Sequence, residues 1–181
     1  TLDLGGNLLT RLPQPLLQIP QLRHLSLTHN RIRLNMEQTA TLASCTTLES
    51  LDLSHNPLGR PFPLAGLTEL RWLNLRDAHI TQFPAGVFER AQLVSVDLRE
   101  NRIRHIPEQF FQMPVWRRRR IRLSANPLGE AQMGRLRASL RSDVPVVDEE
   151  QVFLRLQHAR EVWGDAVAPE HRGLMLAAWD S

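Results

Sequence analysis

An α/β solenoid, in which each turn of chain adds one short strand to a parallel sheet, is the fold the sequence predicts, on three observations. An asparagine recurs at Asn7, Asn30, Asn56, Asn101 and Asn126, with Ala78 at the equivalent place of a repeat that otherwise fits. Successive spacings are 23, 26, 22, 23 and 25 residues. Ahead of each marker apolar residues alternate, as in Leu51-Asp52-Leu53, which is the pattern of a half-buried strand. The whole frame reads L-x-x-L-x-L-x-x-N-x-L, the signature of leucine-rich repeats, whose strands line the concave side of a curved stack.

Each element follows from that frame. Leucine, isoleucine or valine fills the first, fourth, sixth and eleventh positions, as in Leu22, Leu25, Leu27 and Ile32, or Leu70, Leu73, Leu75 and Ile80. One repeat cannot bury such a face alone, so stacking makes a continuous core. Asparagine carries both amide donors and a carbonyl acceptor, so at the turn it satisfies main-chain groups that the departing strand leaves open. Ala78 breaks that series, and local irregularity is expected over Arg76-Asp77-Ala78-His79.

On the convex side Leu12-Pro13, Phe83-Pro84 and Ile106-Pro107 recur, followed by the apolar pairs Leu16-Leu17, Val87-Phe88 and Phe110-Phe111. Proline there starts an extended segment or a short helical turn over the buried pair. The second repeat has few breakers between Met36 and Cys45 and is expected to hold a true helix, with Cys45 a small buried hydrophobe. Past Asn126 the pattern stops. Residues 130–142 set Met133, Leu136 and Leu140 on one helical face, as a terminal cap requires, so the repeats and cap are assigned to 1–142. A connector and two further helices are expected in 143–181, the second opened by Pro169.

Composition narrows the function classes. The chain has 181 residues and a formal net charge of +3, with no apolar run long enough for a membrane span and no signal peptide. It begins at Thr1 inside a strand, so both ends are expected to be cut from something longer. A single cysteine, Cys45, excludes an intramolecular disulfide framework. All 22 basic residues are arginine and tyrosine is absent, which fits a G/C-rich bacterial genome. No phosphate loop, zinc spacing or Ser-His-Asp context occurs, so no cofactor, metal or catalytic residue is expected within this stretch.

The candidate site lies on the concave sheet. Third positions read Thr1, His24, Ser50, Trp72, Ser95, Arg120; fifth positions Asp3, Ser26, Asp52, Asn74, Asp97, Arg122; seventh positions Gly5, Thr28, Ser54, Arg76, Arg99, Ser124. These rows are expected to point away from the core. Adjacent strands sit about 4.8 Å apart, so the rows are spatial neighbours. Trp72 ringed by Arg76, Arg99, Asn74, Asp97 and Asp52, with Arg120 and Arg122 beyond, has the composition of a protein-binding hot spot. The binding reading is stronger for Trp72, Arg76 and Arg99; the aspartates also fit the repeat's common Leu-Asp-Leu spelling. His29, His55 and Asp77 fall at eighth positions, but a straight row does not converge on a metal. The run Trp116-Arg117-Arg118-Arg119-Arg120 reads as a solvated edge of a degenerate last repeat rather than a nucleic-acid site, since no aromatic interleaving extends it.

Leu51-Asp52-Leu53-Ser54-His55-Asn56-Pro57-Leu58, Leu70-Arg71-Trp72-Leu73-Asn74-Leu75 and Leu123-Ser124-Ala125-Asn126-Pro127-Leu128 resemble the repeat region of large secreted bacterial effectors, often Pseudomonas-like. In those proteins a dermonecrotic-toxin-like region precedes the repeats and a NEL-type ubiquitin ligase domain follows. Ala159-Arg160-Glu161-Val162-Trp163 and Leu176-Ala177-Ala178-Trp179 are similar to the helices that open the NEL domain. The resemblance implies a cysteine nucleophile in a Cys-x-Asp motif, which Cys45-Thr46-Thr47 does not match, so the nucleophile of such a parent lies beyond residue 181. It further implies a monomeric recognition arm for a host protein in the host cytoplasm, with ubiquitin and its conjugating enzyme as partners of the parent alone. No membrane or nucleic-acid partner is implied. A stand-alone repeat scaffold is the alternative; an innate-immune ectodomain is disfavoured by the missing cysteine caps and glycosylation sites.

Overall fold

The computed structural model describes residues 1–13, 19 and 21–141. The expected apolar pair Leu16-Leu17, the last residue of the cap and everything assigned to 143–181 lie outside the described residues. Six strands form one sheet in sequence order: β1 (Leu2–Asp3), β2 (His24–Ser26), β3 (Ser50–Asp52), β4 (Trp72–Asn74), β5 (Ser95–Asp97) and β6 (Ile121–Arg122). Every neighbouring pair is parallel, and the register aligns Leu25, Leu51, Leu73 and Val96 in one row. Parallel strands need a long crossover, and here each crossover is the convex half of a repeat. The fold is a leucine-rich repeat solenoid.

The core is the stack of those leucines. Leu27, Ile32, Leu70, Leu75, Ile80, Leu98 and Ile103 are all 0 % exposed. Leu12, Phe83 and Ile106, each ahead of a convex proline, are buried, and Val87 and Phe110 lie beneath as expected. Phe83, Phe88, Phe110 and Phe111 continue this packing as a chain of tilted and edge-on rings.

Asparagine knits the repeats together. The Asn56 amide donates to Leu27, Leu53 and Ser54 carbonyls while its own oxygen accepts the Ile32 N–H. Asn30, Asn101 and Asn126 repeat the arrangement one layer along. Where Ala78 replaces it, the Leu58 N–H turns back on the Asn56 carbonyl, and the Ala78 N–H joins that of Ile80 on the next asparagine, Asn101. The expected irregularity is visible at His79, which takes φ 57° where the equivalent residues Arg31, Pro57, Arg102 and Pro127 have no positive φ. A regular left-handed position was not foreseen: Gly6, His29, His55, Asp77, Glu100 and Ala125, at the eighth place of the six repeats, all have positive φ. The chain needs that residue to reverse out of the strand.

Helices sit on the convex side and at the end. Met36–Ala43 forms α1, capped by the Asn35 side chain, which accepts the Gln38 N–H. Gly66 of the following repeat packs so tightly on the end of α1 that a Cβ there would run into the Ala43 main chain. Helices α2 (Glu108–Gln112) and α3 (Val115–Arg118) each start after a proline, which sets the extended entry. Helix α4 (Glu130–Arg141) is the cap: Leu136 packs on the core, and Met133 and Leu140 are half-buried. Arg135 ties it to the last repeats by pairing with Glu108 and lying over the Phe111 ring.

Candidate functional site

The concave rows fall in the predicted register: His24, Ser50, Trp72 and Ser95 pair in turn, as do Ser26, Asp52, Asn74 and Asp97. Arg122 continues the second row beside Asp97 on β6. Position in the sheet does not mean exposure, however. Trp72 is 8 % exposed and Asp97 is also 8 % exposed, with Ser50 and Ser54 as deeply covered. Trp72 sits in its row between Ser50 and Ser95, and its side chain is nearly covered rather than presented to solvent.

Fifth-position side chains serve the turn. Asp3, Asp52, Asn74 and Asp97 each accept the N–H of the residue two further on, Gly5, Ser54, Arg76 and Arg99, at 2.8 to 3.1 Å. This local side-chain bond reproduces the hydrogen bonding of a turn, which gives the Leu-Asp-Leu spelling a structural cause. A polar chain then crosses the sheet. Thr28 and Ser54 hydroxyls meet at 2.9 Å, Ser54 donates to Asp52, and Asn74 donates to the other Asp52 oxygen.

The arginines of the site are paired. Arg99 forks onto both Asp97 oxygens, with its side chain 19 % exposed and the carboxylate 12 %. Such a planar, two-point pair is among the stronger charged contacts. Arg76 pairs with Glu100 at greater exposure, and the adjacent carboxylate holds the guanidinium above its ordinary pKa. Glu100 was missed because eighth positions read as turn residues; the readable signal was opposite charge at offset positions of successive repeats.

The arginine run does not behave as a solvated edge. Arg117 donates to the Phe88 and Arg90 carbonyls, Arg120 to those of Ala91 and Leu93, and Arg119 to Leu140 in the cap. Arg120 also stacks over Trp116, which is 53 % exposed. The expectation is corrected because the last repeat lacks a leucine at Arg118, and long guanidinium arms fill that role by closing main-chain acceptors of the repeat before it.

On the rim, the His29 and His55 rings stack 4.2 Å apart, and Asp77 lies 3.2 Å from His55 and 3.7 Å from His79. Among the described residues no group of histidine, cysteine and carboxylate side chains has metal-binding geometry. Cys45 donates to the Thr41 carbonyl, and burial pushes its thiol pKa up, away from nucleophilic use.

Residues 44–60 match the family described as Leucine Rich repeat. A leucine-rich repeat protein of Leptospira interrogans has a similar structure, with a TM-score of 0.55 at 15 % identity over 77 % of this chain and 58 % of that one. The chain thus spans less than two thirds of that protein's length. A search of curated proteins gives no match. Period, register and structural likeness agree on one conclusion: residues 1–141 build a leucine-rich repeat solenoid whose concave sheet displays an internally paired polar face.

Proposed function

We propose that the solenoid is a protein-recognition module and that its concave face, over β3 to β5, is the surface that takes the partner. The observation that carries this reading is the in-register pairing of Trp72 and Asn74 with Ser95 and Asp97, followed past the strand ends by Arg76 and Arg99, which ion pairs with Glu100 and Asp97 hold in place. Recognition gains from preorganisation, because less rotamer freedom is lost on binding when side chains are already held by neighbours. Arg76 and Glu100, both close to two-fifths exposed, are the groups a partner meets first. Trp72, nearly covered between its row neighbours, supports this face from within rather than meeting the partner directly.

The resemblance to NEL-type effectors supports a finer reading, in which the solenoid selects a host protein for a ligase domain carried elsewhere in a parent chain. Ubiquitin and the conjugating enzyme then belong to that parent. Absence of lysine fits this reading, since a recognition arm without side-chain amines escapes modification on those side chains.

The test is affinity capture from host-cell lysate by the wild-type chain and by a variant carrying Arg76→Glu with Glu100→Arg. That swap keeps the internal pair and reverses the surface charge. A protein captured by the wild type and lost in the swap, with unfolding temperature unchanged, supports the concave face. Equal capture by both forms overturns it. For the finer reading, a parent that forms no reductant-sensitive ubiquitin adduct, even with the repeats deleted, removes the ligase.

A further inference from the structure

A second surface carries charge that folding does not use. On the side of the solenoid, residues 81–89 of one repeat and 102–109 of the next enclose an open groove of about 610 Å³. Phe83, Pro84, Phe88 and Pro107 give it an apolar floor. Arg102, Arg104 and His105 stand over it, and among the described residues lining it Glu89 is the single carboxylate.

Those two arginines differ from most others nearby. Arg76, Arg99 and Arg135 pair with carboxylates, and Arg90, Arg117, Arg119 and Arg120 reach main-chain carbonyls. The Arg102 and Arg104 guanidiniums make no ion pair or side-chain hydrogen bond among the described residues, and both are exposed around the buried Ile103. Alternation of exposed, buried, exposed sets both cations on one side of an extended segment, roughly 6.6 Å apart along the chain.

We propose that this groove binds an extended acidic peptide segment of a protein partner, with carboxylates at alternate positions. Two residues apart in an extended peptide repeat at the same interval as Arg102 and Arg104, so each carboxylate meets one guanidinium while the residue between them faces the phenylalanine and proline floor. Charge decides the partner class. A nucleic acid would need a continuous basic track, but the nearby arginine run is engaged with carbonyls and Glu89 interrupts the groove.

Fluorescence anisotropy on the full 181-residue chain tests this, with a labelled peptide bearing glutamate at alternate positions between leucines. Its glutamine counterpart and a labelled single-stranded oligonucleotide are the comparison probes. Arg102→Gln with Arg104→Gln is the groove variant. Arg31→Gln with Arg33→Gln is the control, since those exposed arginines flank buried Ile32 in the same way but lie outside the groove. Losing two charge-assisted contacts should weaken the glutamate peptide by about tenfold or more in the groove variant and by less than about twofold in the control. Both variants should keep the wild-type unfolding temperature, as exposed unpaired side chains contribute little to it. Equal weakening by both pairs would show bulk charge attraction only. Tighter binding of the oligonucleotide would assign the groove to phosphate, and no peptide binding at ~1 mM would remove the site.

Discussion

Asn101 joins two repeats through one side chain. It donates to the carbonyls of Leu75, Leu98 and Arg99 and accepts from the Ala78 and Ile80 N–H groups, at 5 % exposure. Alanine there would leave several buried main-chain groups without partners, so Asn101→Ala should lower stability by about 2 to 4 kcal/mol in a denaturant titration. A loss near zero would mean that water replaces the amide at no cost. Trp72 is a second residue whose role changes with its surroundings. Because its indole is nearly covered, Trp72→Ala should cost about 3 to 5 kcal/mol in the same measurement, with Trp72→Phe closer to wild type. Binding data on the alanine variant must therefore be read beside its stability.

Elements of the solenoid are held by close approach and by clamps between repeats. Gly66→Ala should cost about 3 kcal/mol, since the added methyl meets the backbone of Ala43 at the end of α1 and not a side chain that could swing away. Unchanged stability would mean that α1 slides freely on the next repeat. At the other end, Glu108 of α2 and Arg135 of α4 form the clamp on the cap. The Arg135 hydrogen bond holds the Glu108 carboxyl below its ordinary pKa. A depressed carboxyl adds stability that is fully present above its unfolded-state value and is lost as pH falls through the lower folded value, so the clamp loosens only in acid. The group is exposed, and the effect is accordingly small. An NMR titration should show Glu108 returning to the ordinary carboxylate range in Arg135→Gln; an unmoved titration would place the clamp elsewhere.

At the scale of the whole molecule, strand register was legible because a period of two within each strand and a period in the twenties between strands admit one alignment of Leu25, Leu51, Leu73 and Val96. Helix α1 and the α4 cap were legible too, one from a run without breakers and the other from the spacing of Met133, Leu136 and Leu140. The candidate site was legible as positions but not as contacts. Rotamers decide whether Arg99 reaches outward or folds onto Asp97, and no periodicity encodes that choice. Likewise Trp72 follows the same pattern whether it is exposed or covered, and the structure has it nearly covered. The arginine run misled because charge is normally solvated, whereas here it closes carbonyls of a repeat that lacks its first leucine. The two proposed partner surfaces are the paired concave face and the groove lined by Arg102 and Arg104.

The measurement that tests the concave face most directly is a calorimetric titration of the protein captured by the chain against three forms of it. These are the wild type, the Arg76→Glu with Glu100→Arg swap, and the Arg102→Gln with Arg104→Gln groove variant. Recognition by the concave sheet predicts that the swap weakens affinity by about tenfold or more, ~1.4 kcal/mol, at unchanged unfolding temperature. Full affinity in the swap, with loss confined to the groove variant, would contradict it and move recognition to the side of the solenoid.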